Sequence, residues 1–146
     1  MAGKNTGVQW LLLLFLGGLL SPLAQALLVT RIDDVWMLEL ACRYPRVTFH
    51  GANGSLLARA RDGQLYAANG ALEASITTCE RVQDRSGVLL ARRSGDGRYS
   101  LANGTLLGRF EADGRVLAAN GSLALRLRDG AVYLPSGALL ARYRVK

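Results

Sequence analysis

The apolar and polar positions of this chain repeat with a fixed period over most of its length. Units open at six glycines, with a step of 16 or 17 residues between them: Gly54, Gly70, Gly87, Gly104, Gly121 and Gly137. A representative unit, residues 104–120, reads GTLLGRFEADGRVLAAN: a short apolar run, an Asp-Gly pair and a second apolar run that ends in Ala-Asn. A period of this kind indicates a repeat architecture in which neighbouring units bury a shared core.

Two turn signals alternate along the repeats. An Asn-Gly or Ser-Gly pair opens most units, and an Asp-Gly pair lies near the middle of most of them. Asn-Gly and Asp-Gly pairs are strong hairpin signals, because both central residues of a type I′ turn need positive φ. Each unit is therefore predicted to hold two short strands joined as hairpins.

The strand register can be tested by asking which pairing keeps apolar residues on one face, since a one-residue slip would scatter them over both. A two-residue turn at residues 62–63, and a three-residue loop in longer units such as 112–114, satisfy this condition. The predicted pairs are Ala60–Leu65, Ala67–Leu72, Phe110–Val116, Leu127–Val132 and Leu134–Leu139. This register indicates an antiparallel meander with one apolar face.

Two columns of residues emerge when the units are aligned. The third residue of every unit is leucine and is predicted to lie on the apolar face: Leu56, Leu72, Leu89, Leu106, Leu123 and Leu139. The sixth residue is arginine in five units and Ser75 in the other, and is predicted on the opposite face: Arg59, Arg92, Arg109, Arg126 and Arg142. Tyr66 and Tyr133 are the expected cross-strand neighbours of Arg59 and Arg126.

The predicted fold class is all-β, a meander of tandem 16–17-residue hairpin repeats that curls over its Leu-rich face into a sandwich or barrel-like roll. A β-solenoid is the alternative, because two strands and two corners per unit also describe one coil. A solenoid would stack the arginines ~4.8 Å apart, whereas in a meander the column recurs on alternate strands about 10 Å apart. Solvent screens the wider spacing better, which favours the meander.

The chain before the repeats divides into two parts. Residues 1–26 are predicted to be a signal peptide, with Lys4 in the charged region, an apolar run, and small residues at Ala24 and Ala26 before the cleavage point. Residues 27–53 are predicted to cap the repeat domain of residues 54–146. Within the cap, residues 35–44 alternate like a strand, a short helix beginning near Thr30 is the alternative, and residues 47–50 form another short strand.

Export determines how the two cysteines are interpreted. Cys42 and Cys79 are the only cysteines, and in an oxidising compartment a lone pair in a small domain is expected to form a disulfide. A metal site is disfavoured, because His50 is the only histidine and no Cys-x-x-Cys spacing exists. We therefore expect a periplasmic or extracellular protein without a metal, a cofactor or a membrane span after signal cleavage.

Charge identifies the candidate binding residues. The formal net charge is +7, and almost all of the cations are arginines. Guanidinium groups interleaved with tyrosines suit contacts to phosphate, sulfate or carboxylate, so the Arg column with Tyr66 and Tyr133 is the candidate anion-binding site. The alternative is a solvated face copied by repeat duplication.

No catalytic constellation accompanies the Arg column. His50 is the only imidazole, and the turn aspartates are explained by turn geometry. The expected function is therefore a structural or binding module at the cell envelope that recognises an anionic glycan, lipopolysaccharide or a protein partner, with nucleic acid less favoured. The alternatives are a small hydrolase, and an accessory subunit of an assembly that pairs through exposed edge strands such as that at Val145.

Overall fold

Among the residues that the structure describes, twelve antiparallel strands form the wall of a closed barrel around one α-helix. The computed structural model describes residues 29–146, so the predicted signal peptide lies outside the described residues. A short 3-10 helix, Ile32–Asp34, precedes helix α1, Trp36–Arg43. The first six strands are β1 Arg46–Gly51, β2 Leu56–Arg61, β3 Gln64–Ala67, β4 Leu72–Thr77, β5 Arg81–Asp84 and β6 Leu89–Arg93. The others are β7 Arg98–Leu101, β8 Leu106–Phe110, β9 Arg115–Ala118, β10 Leu123–Arg128, β11 Ala131–Tyr133 and β12 Leu139–Val145.

Each strand pairs with the next along the chain, and β1 closes the barrel by pairing with β12. The predicted all-β meander is therefore confirmed, and the solenoid alternative is wrong because every pairing is antiparallel and, apart from β1 with β12, joins consecutive strands. Val145, expected at an exposed edge, lies opposite Val47. Closure leaves no unpaired strand edge in the described barrel, so the edge-pairing hypothesis loses its structural basis.

The two-residue turns and the Asn-Gly loops differ in backbone conformation. At Asp62-Gly63 and Asp129-Gly130 both residues have positive φ, as the prediction of type I′ turns requires. The Asn-Gly pairs differ, because only the glycine has positive φ, for example +92° at Gly70. These pairs end three-residue loops in which the asparagine side chain accepts a hydrogen bond from the backbone N–H two residues later, as Asn120 does from Ser122 at 2.9 Å.

The loops define the two ends of the barrel. The Asn-Gly rim consists of the three-residue loops enclosed by closing backbone hydrogen bonds, at 52–54, 68–70, 85–87, 102–104, 119–121 and 135–137. The Asp-Gly rim consists of loops 62–63, 78–80, 94–97, 111–114 and 129–130, together with the start of β1 and the end of β12.

Replacing Asn120 by alanine should lower the free energy of unfolding by about 1 kcal/mol, because the Ser122 N–H and hydroxyl lose their shared acceptor. Asn120→Asp keeps the acceptor oxygen and should remain near wild type. Urea unfolding of both variants checks this, and an equal loss in both would contradict a role for the side-chain hydrogen bonds.

The leucine column lies on the outer face, not on the predicted inner one. Because each Asn-Gly loop has three residues, Leu72 lies opposite Tyr66 rather than Ala67, and Leu139 lies opposite Tyr133 rather than Leu134. The other predicted pairs, Ala60–Leu65, Phe110–Val116 and Leu127–Val132, are confirmed. Leu106, in the same column, is 40% exposed.

A register shift follows in every unit and returns the next residues to the core. It occurs once per unit, on β1–β2, β3–β4, β5–β6, β7–β8, β9–β10 and β11–β12. In three of the units the fourth residue then joins the core, as Leu57, Leu107 and Leu140 do, each 7% exposed. Such bulges bend and twist a strand, so six of them favour closure of the meander into a barrel.

Helix α1 fills the interior of the barrel. Its residues from Trp36 to Ala41 are all buried, so every side of the helix is covered. Trp36 packs edge-on against Phe49 of β1, with ring centroids 5.4 Å apart. The strand predicted for residues 35–44 is thus wrong. Because the barrel surrounds this segment, consecutive residues are buried, and their apolar-polar alternation does not reflect a strand. The helix alternative is correct in type but begins at Trp36, and the strand over 47–50 is confirmed within β1.

Residues 29–53 therefore supply the core helix and the first strand rather than covering one end of a stack. The predicted Cys42–Cys79 disulfide is confirmed, and it ties the end of α1 to the Asp-Gly rim with the two Cα atoms 5.3 Å apart. The 3-10 helix before α1 also lies close to the inner wall. At Gly108 of β8 the two approach so closely that a Cβ added to the glycine would lie 2.8 Å from Ile32.

Candidate anion-binding surface

The predicted Arg column forms a ring around the outside of the barrel. Its members are exposed and lie on five different strands: Arg59 on β2, Arg92 on β6, Arg109 on β8, Arg126 on β10 and Arg142 on β12. Closure of the sheet turns these strands away from one another. The structure therefore distributes the column around the circumference and does not assemble it into one binding face.

The two predicted tyrosine neighbours are placed as expected. Tyr66 lies directly opposite Arg59, and Tyr133 lies directly opposite Arg126. The Tyr133 ring also has the guanidinium of Arg128 6.0 Å from its centroid. Tyr66 instead donates a hydrogen bond from its hydroxyl to Gln64 Oε1 at 2.7 Å.

Arginines also lie opposite other arginines across neighbouring strands. The directly opposed pairs are Arg46–Arg61, Arg81–Arg92, Arg98–Arg109 and Arg115–Arg126. Like charges in this arrangement destabilise a sheet unless a counter-ion lies between or beside them. The barrel therefore holds several places where an anion would relieve repulsion.

Turn carboxylates supply that counter-charge on one side of the barrel. Arg98 contacts Asp96 at 2.7 Å, Arg109 contacts Glu111 at 2.6 Å, and Arg115 contacts Asp113 at 2.9 Å. The hydrogen bond from Arg98 is the main reason that the pKa of Asp96 lies below its usual value. The arginines of β7, β8 and β9 are thus at least partly neutralised by their own turns.

The opposite situation holds where the barrel closes. Three adjacent strands, β12, β1 and β2, together with the residue that follows β12, carry six exposed cations on the outer face: Arg46, Arg59, Arg61, Arg142, Arg144 and Lys146. We call this set the seam patch. Within the described residues none of the six forms an ion pair with a carboxylate. The seam patch is therefore a concentration of uncompensated positive charge.

The ladder positions these cations in rows. Arg144 lies opposite Thr48, which lies opposite Arg59, which in turn lies opposite Tyr66. Beside that row, Arg46 lies opposite Arg61, and its carbonyl accepts a hydrogen bond from the Lys146 backbone N–H at 3.1 Å. Paired strands hold these backbones about 4.8 Å apart, so the cationic groups can converge on one ligand.

A groove of about 420 Å³ runs over part of the seam patch. It extends from Arg46 and Lys146 at the Asp-Gly rim to Gly70 in the Asn-Gly rim, and Arg59, Arg61 and Tyr66 also line it. None of the described residues that line this groove is acidic. The arrangement can accept a ligand that carries negative charge and presents a face to an aromatic ring.

Four members of the seam patch were not among the predicted site residues: Arg46, Arg61, Arg144 and Lys146. They fall outside the sixth-residue column and come from opposite ends of the repeat region. Only the pairing of β1 with β12 brings them together. The available signal was the alternating basic sequence Arg142-Tyr-Arg-Val-Lys146 at the end of the chain, which places three cations on one face of a strand.

A second charged cluster lies inside the barrel. The Glu39 carboxylate is 0% exposed and accepts hydrogen bonds from Arg93, Arg43 and the Tyr99 hydroxyl at distances from 2.7 to 3.0 Å. Burial alone would raise the pKa of Glu39, but these hydrogen bonds and the two arginine charges outweigh it and lower the pKa. The fully occupied carboxylate joins α1 to β6 and β7, so its role is structural.

Asp34 is a buried carboxyl group with incomplete hydrogen bonding. Its Oδ1 is buried without a hydrogen-bond partner among the described residues, and Thr30 Oγ1 lies 3.4 Å from its Oδ2. Burial, assisted by the neighbouring Asp33 charge, raises the pKa of Asp34 to about 7. The side chain therefore titrates near neutral pH.

Other kinds of site are not formed by the part of the chain described here. His50 lies on the outer wall opposite Arg142 and Leu56. Residues 29–146 contain no group of three or more His, Cys, Asp or Glu side chains that could hold a metal ion. Over the same residues, no helix has the length and apolar character needed to cross a membrane. Comparison with protein families, characterised proteins and solved structures finds no match to this chain.

Proposed function

We propose that this chain is an exported binding module that recognises an anionic polymer at the cell envelope, with the seam patch as its contact surface. The observation that carries the proposal is the seam patch itself, six cations at the β12–β1–β2 closure without an ion-paired carboxylate among the described residues. Holding opposed Arg46 and Arg61 without a counter-ion costs stability. A bound polyanion would offset that cost and gain bidentate guanidinium contacts.

The disulfide and the predicted leader support export. A Cys42–Cys79 bond persists in an oxidising compartment, and the residues before the barrel have the pattern of a signal peptide. Anionic polysaccharides and lipopolysaccharide are abundant polyanions of that compartment, whereas nucleic acid is mainly intracellular. We therefore place the ligand among surface glycans.

Binding of the purified chain to sulfated dextran, polygalacturonate, lipopolysaccharide, polyphosphate and duplex DNA across a salt series tests this function. Arg46→Gln with Arg61→Gln should weaken binding at least tenfold, because contacts between charged groups contribute about 1.5–3 kcal/mol each. The affinity of the wild type should also fall steeply with salt.

The matched control is Arg81→Gln with Arg92→Gln, which removes the same charge from another directly opposed arginine pair. The affinity of this control variant should fall by less than about threefold, since the two substitutions change only the overall electrostatic potential of the protein. Equal losses in both double variants would show that net charge, not the seam patch, determines binding. Failure of the wild type to bind any polymer at physiological salt would overturn the proposed function.

A further inference from the structure

The groove of the seam patch combines cations with one aromatic ring whose position is constrained. Tyr66 is half-buried, lies beside Arg59 in the ladder, and donates its hydroxyl to Gln64 Oε1 at 2.7 Å. A ring that lines the groove and is held in this way loses little further conformational freedom on binding. Recognition of charge alone would not require an aromatic ring in the groove.

We infer that this groove binds an acidic sugar unit, with the sugar ring stacked against Tyr66 and its carboxylate or sulfate between Arg46 and Arg61. The inference rests on the proposed function and names its ligand. Guanidinium groups recognise the planar carboxylate and the oxygens of sulfate bidentately, whereas the C–H face of a pyranose suits the electron-rich face of an aromatic ring. The groove of about 420 Å³ has room for a small saccharide segment.

A nucleic acid would need a different surface. Proteins that bind single strands stack successive bases on successive aromatic side chains along a basic groove. Tyr66 is the only aromatic residue that lines this groove among the described residues, and Tyr133 lies on β11, away from it. One ring beside a cluster of cations fits a single sugar unit better than a run of bases.

Tyr66→Ala tests the inference when its affinity is measured for two probes of similar charge, an oligogalacturonate and a polyphosphate. Loss of one aromatic contact should weaken oligogalacturonate binding about three- to tenfold. Binding of polyphosphate, which has no ring to stack, should change less than twofold. Tyr66→Phe keeps the ring and should retain most of the affinity for the sugar.

Tyr133→Ala is the matched control, because Tyr133 has the same cross-strand relation to Arg126 that Tyr66 has to Arg59. It should leave the affinity for both probes unchanged. Equal weakening for both probes in Tyr66→Ala, or no weakening for the sugar, would overturn the stacking role. If the wild type bound polyphosphate but not oligogalacturonate, the sugar inference would fail while anion binding stood. If it bound neither probe nor any other polymer, the proposed function would fail as well.

Discussion

Replacing Glu39 by alanine is expected to lower the free energy of unfolding by about 3–5 kcal/mol, which is the usual consequence of removing one partner from a buried ion pair. Arg93 would keep its half-buried position without a carboxylate, and the Tyr99 hydroxyl would lose its acceptor. For a domain of this size the loss corresponds to a fall in melting temperature of roughly 10 °C or more. Urea and thermal unfolding at pH 7 measure both quantities.

Glu111→Ala is the matched control, because Glu111 also pairs with an arginine but at the surface, in a loop of the Asp-Gly rim. This substitution should lower the free energy of unfolding by less than about 1 kcal/mol. Glu39→Gln retains the shape and an acceptor, so it should fold even if the alanine variant does not, with a smaller loss of stability. Near-wild-type stability of both Glu39 variants would show that apolar packing alone holds α1 inside the barrel.

The role of Glu39 also predicts behaviour in acid. Since its pKa is lower in the folded protein than in the unfolded chain, its contribution is complete above about pH 4.5 and is lost as the pH falls through the folded value. The ion-paired Glu39 is therefore expected to make the barrel sensitive to acid.

The repeat period predicted the wall of the barrel well, because each hairpin is a local structure. The type I′ turn at residues 62–63, the loop at 112–114 and the antiparallel order all depend on residues close together in the chain. Each Asn-Gly loop adds one residue more than a type I′ turn, and this moved the whole leucine column to the outer face. In each unit a bulge one or two residues later turns the following residues back towards the core.

The helix inside the barrel could not be predicted from periodicity, because it packs against strands far from it in sequence. One signal was present: the fifth residue of each unit is small except at Leu125, as at Ala58, Ala74 and Gly108. These positions are buried in the wall and leave space in the lumen for residues 29–43. A small inner column beside large outer leucines is thus a signature of a barrel with an occupied interior.

The seam patch was missed for a similar reason. The repeats describe how each hairpin meets the next, whereas the pairing of β1 with β12 is a property of the closed sheet. Arg59 was predicted because it belongs to the repeated column, and Tyr66 because it is the cross-strand neighbour of Arg59. Arg144 and Lys146 join them only when the two ends of the meander meet.

Asp34 is expected to give the barrel a stability that decreases as the pH rises towards neutrality. Its pKa is raised from 3.8 to about 7 by burial and by Asp33, against the opposing effects of Arg31 and Thr30. A carboxyl with a raised folded pKa contributes fully below its unfolded pKa and loses that contribution as the pH rises through the folded value. At 1.36 kcal/mol per pKa unit, the contribution lost between pH 4 and pH 8 is ~4 kcal/mol.

Asp34→Asn should remove this loss and raise the free energy of unfolding at pH 8, because the amide has a similar shape and does not ionise. Asp129→Asn is the control, since it replaces an exposed turn aspartate at positive φ, where asparagine is well tolerated. Guanidinium unfolding from pH 3 to pH 8 should show a wild-type maximum near pH 4–5, with Glu39 limiting stability on the acid side and Asp34 on the neutral side. The substitution Asp34→Asn should abolish only the neutral slope. Parallel profiles for the wild type and Asp34→Asn would show that this carboxyl does not govern the pH dependence.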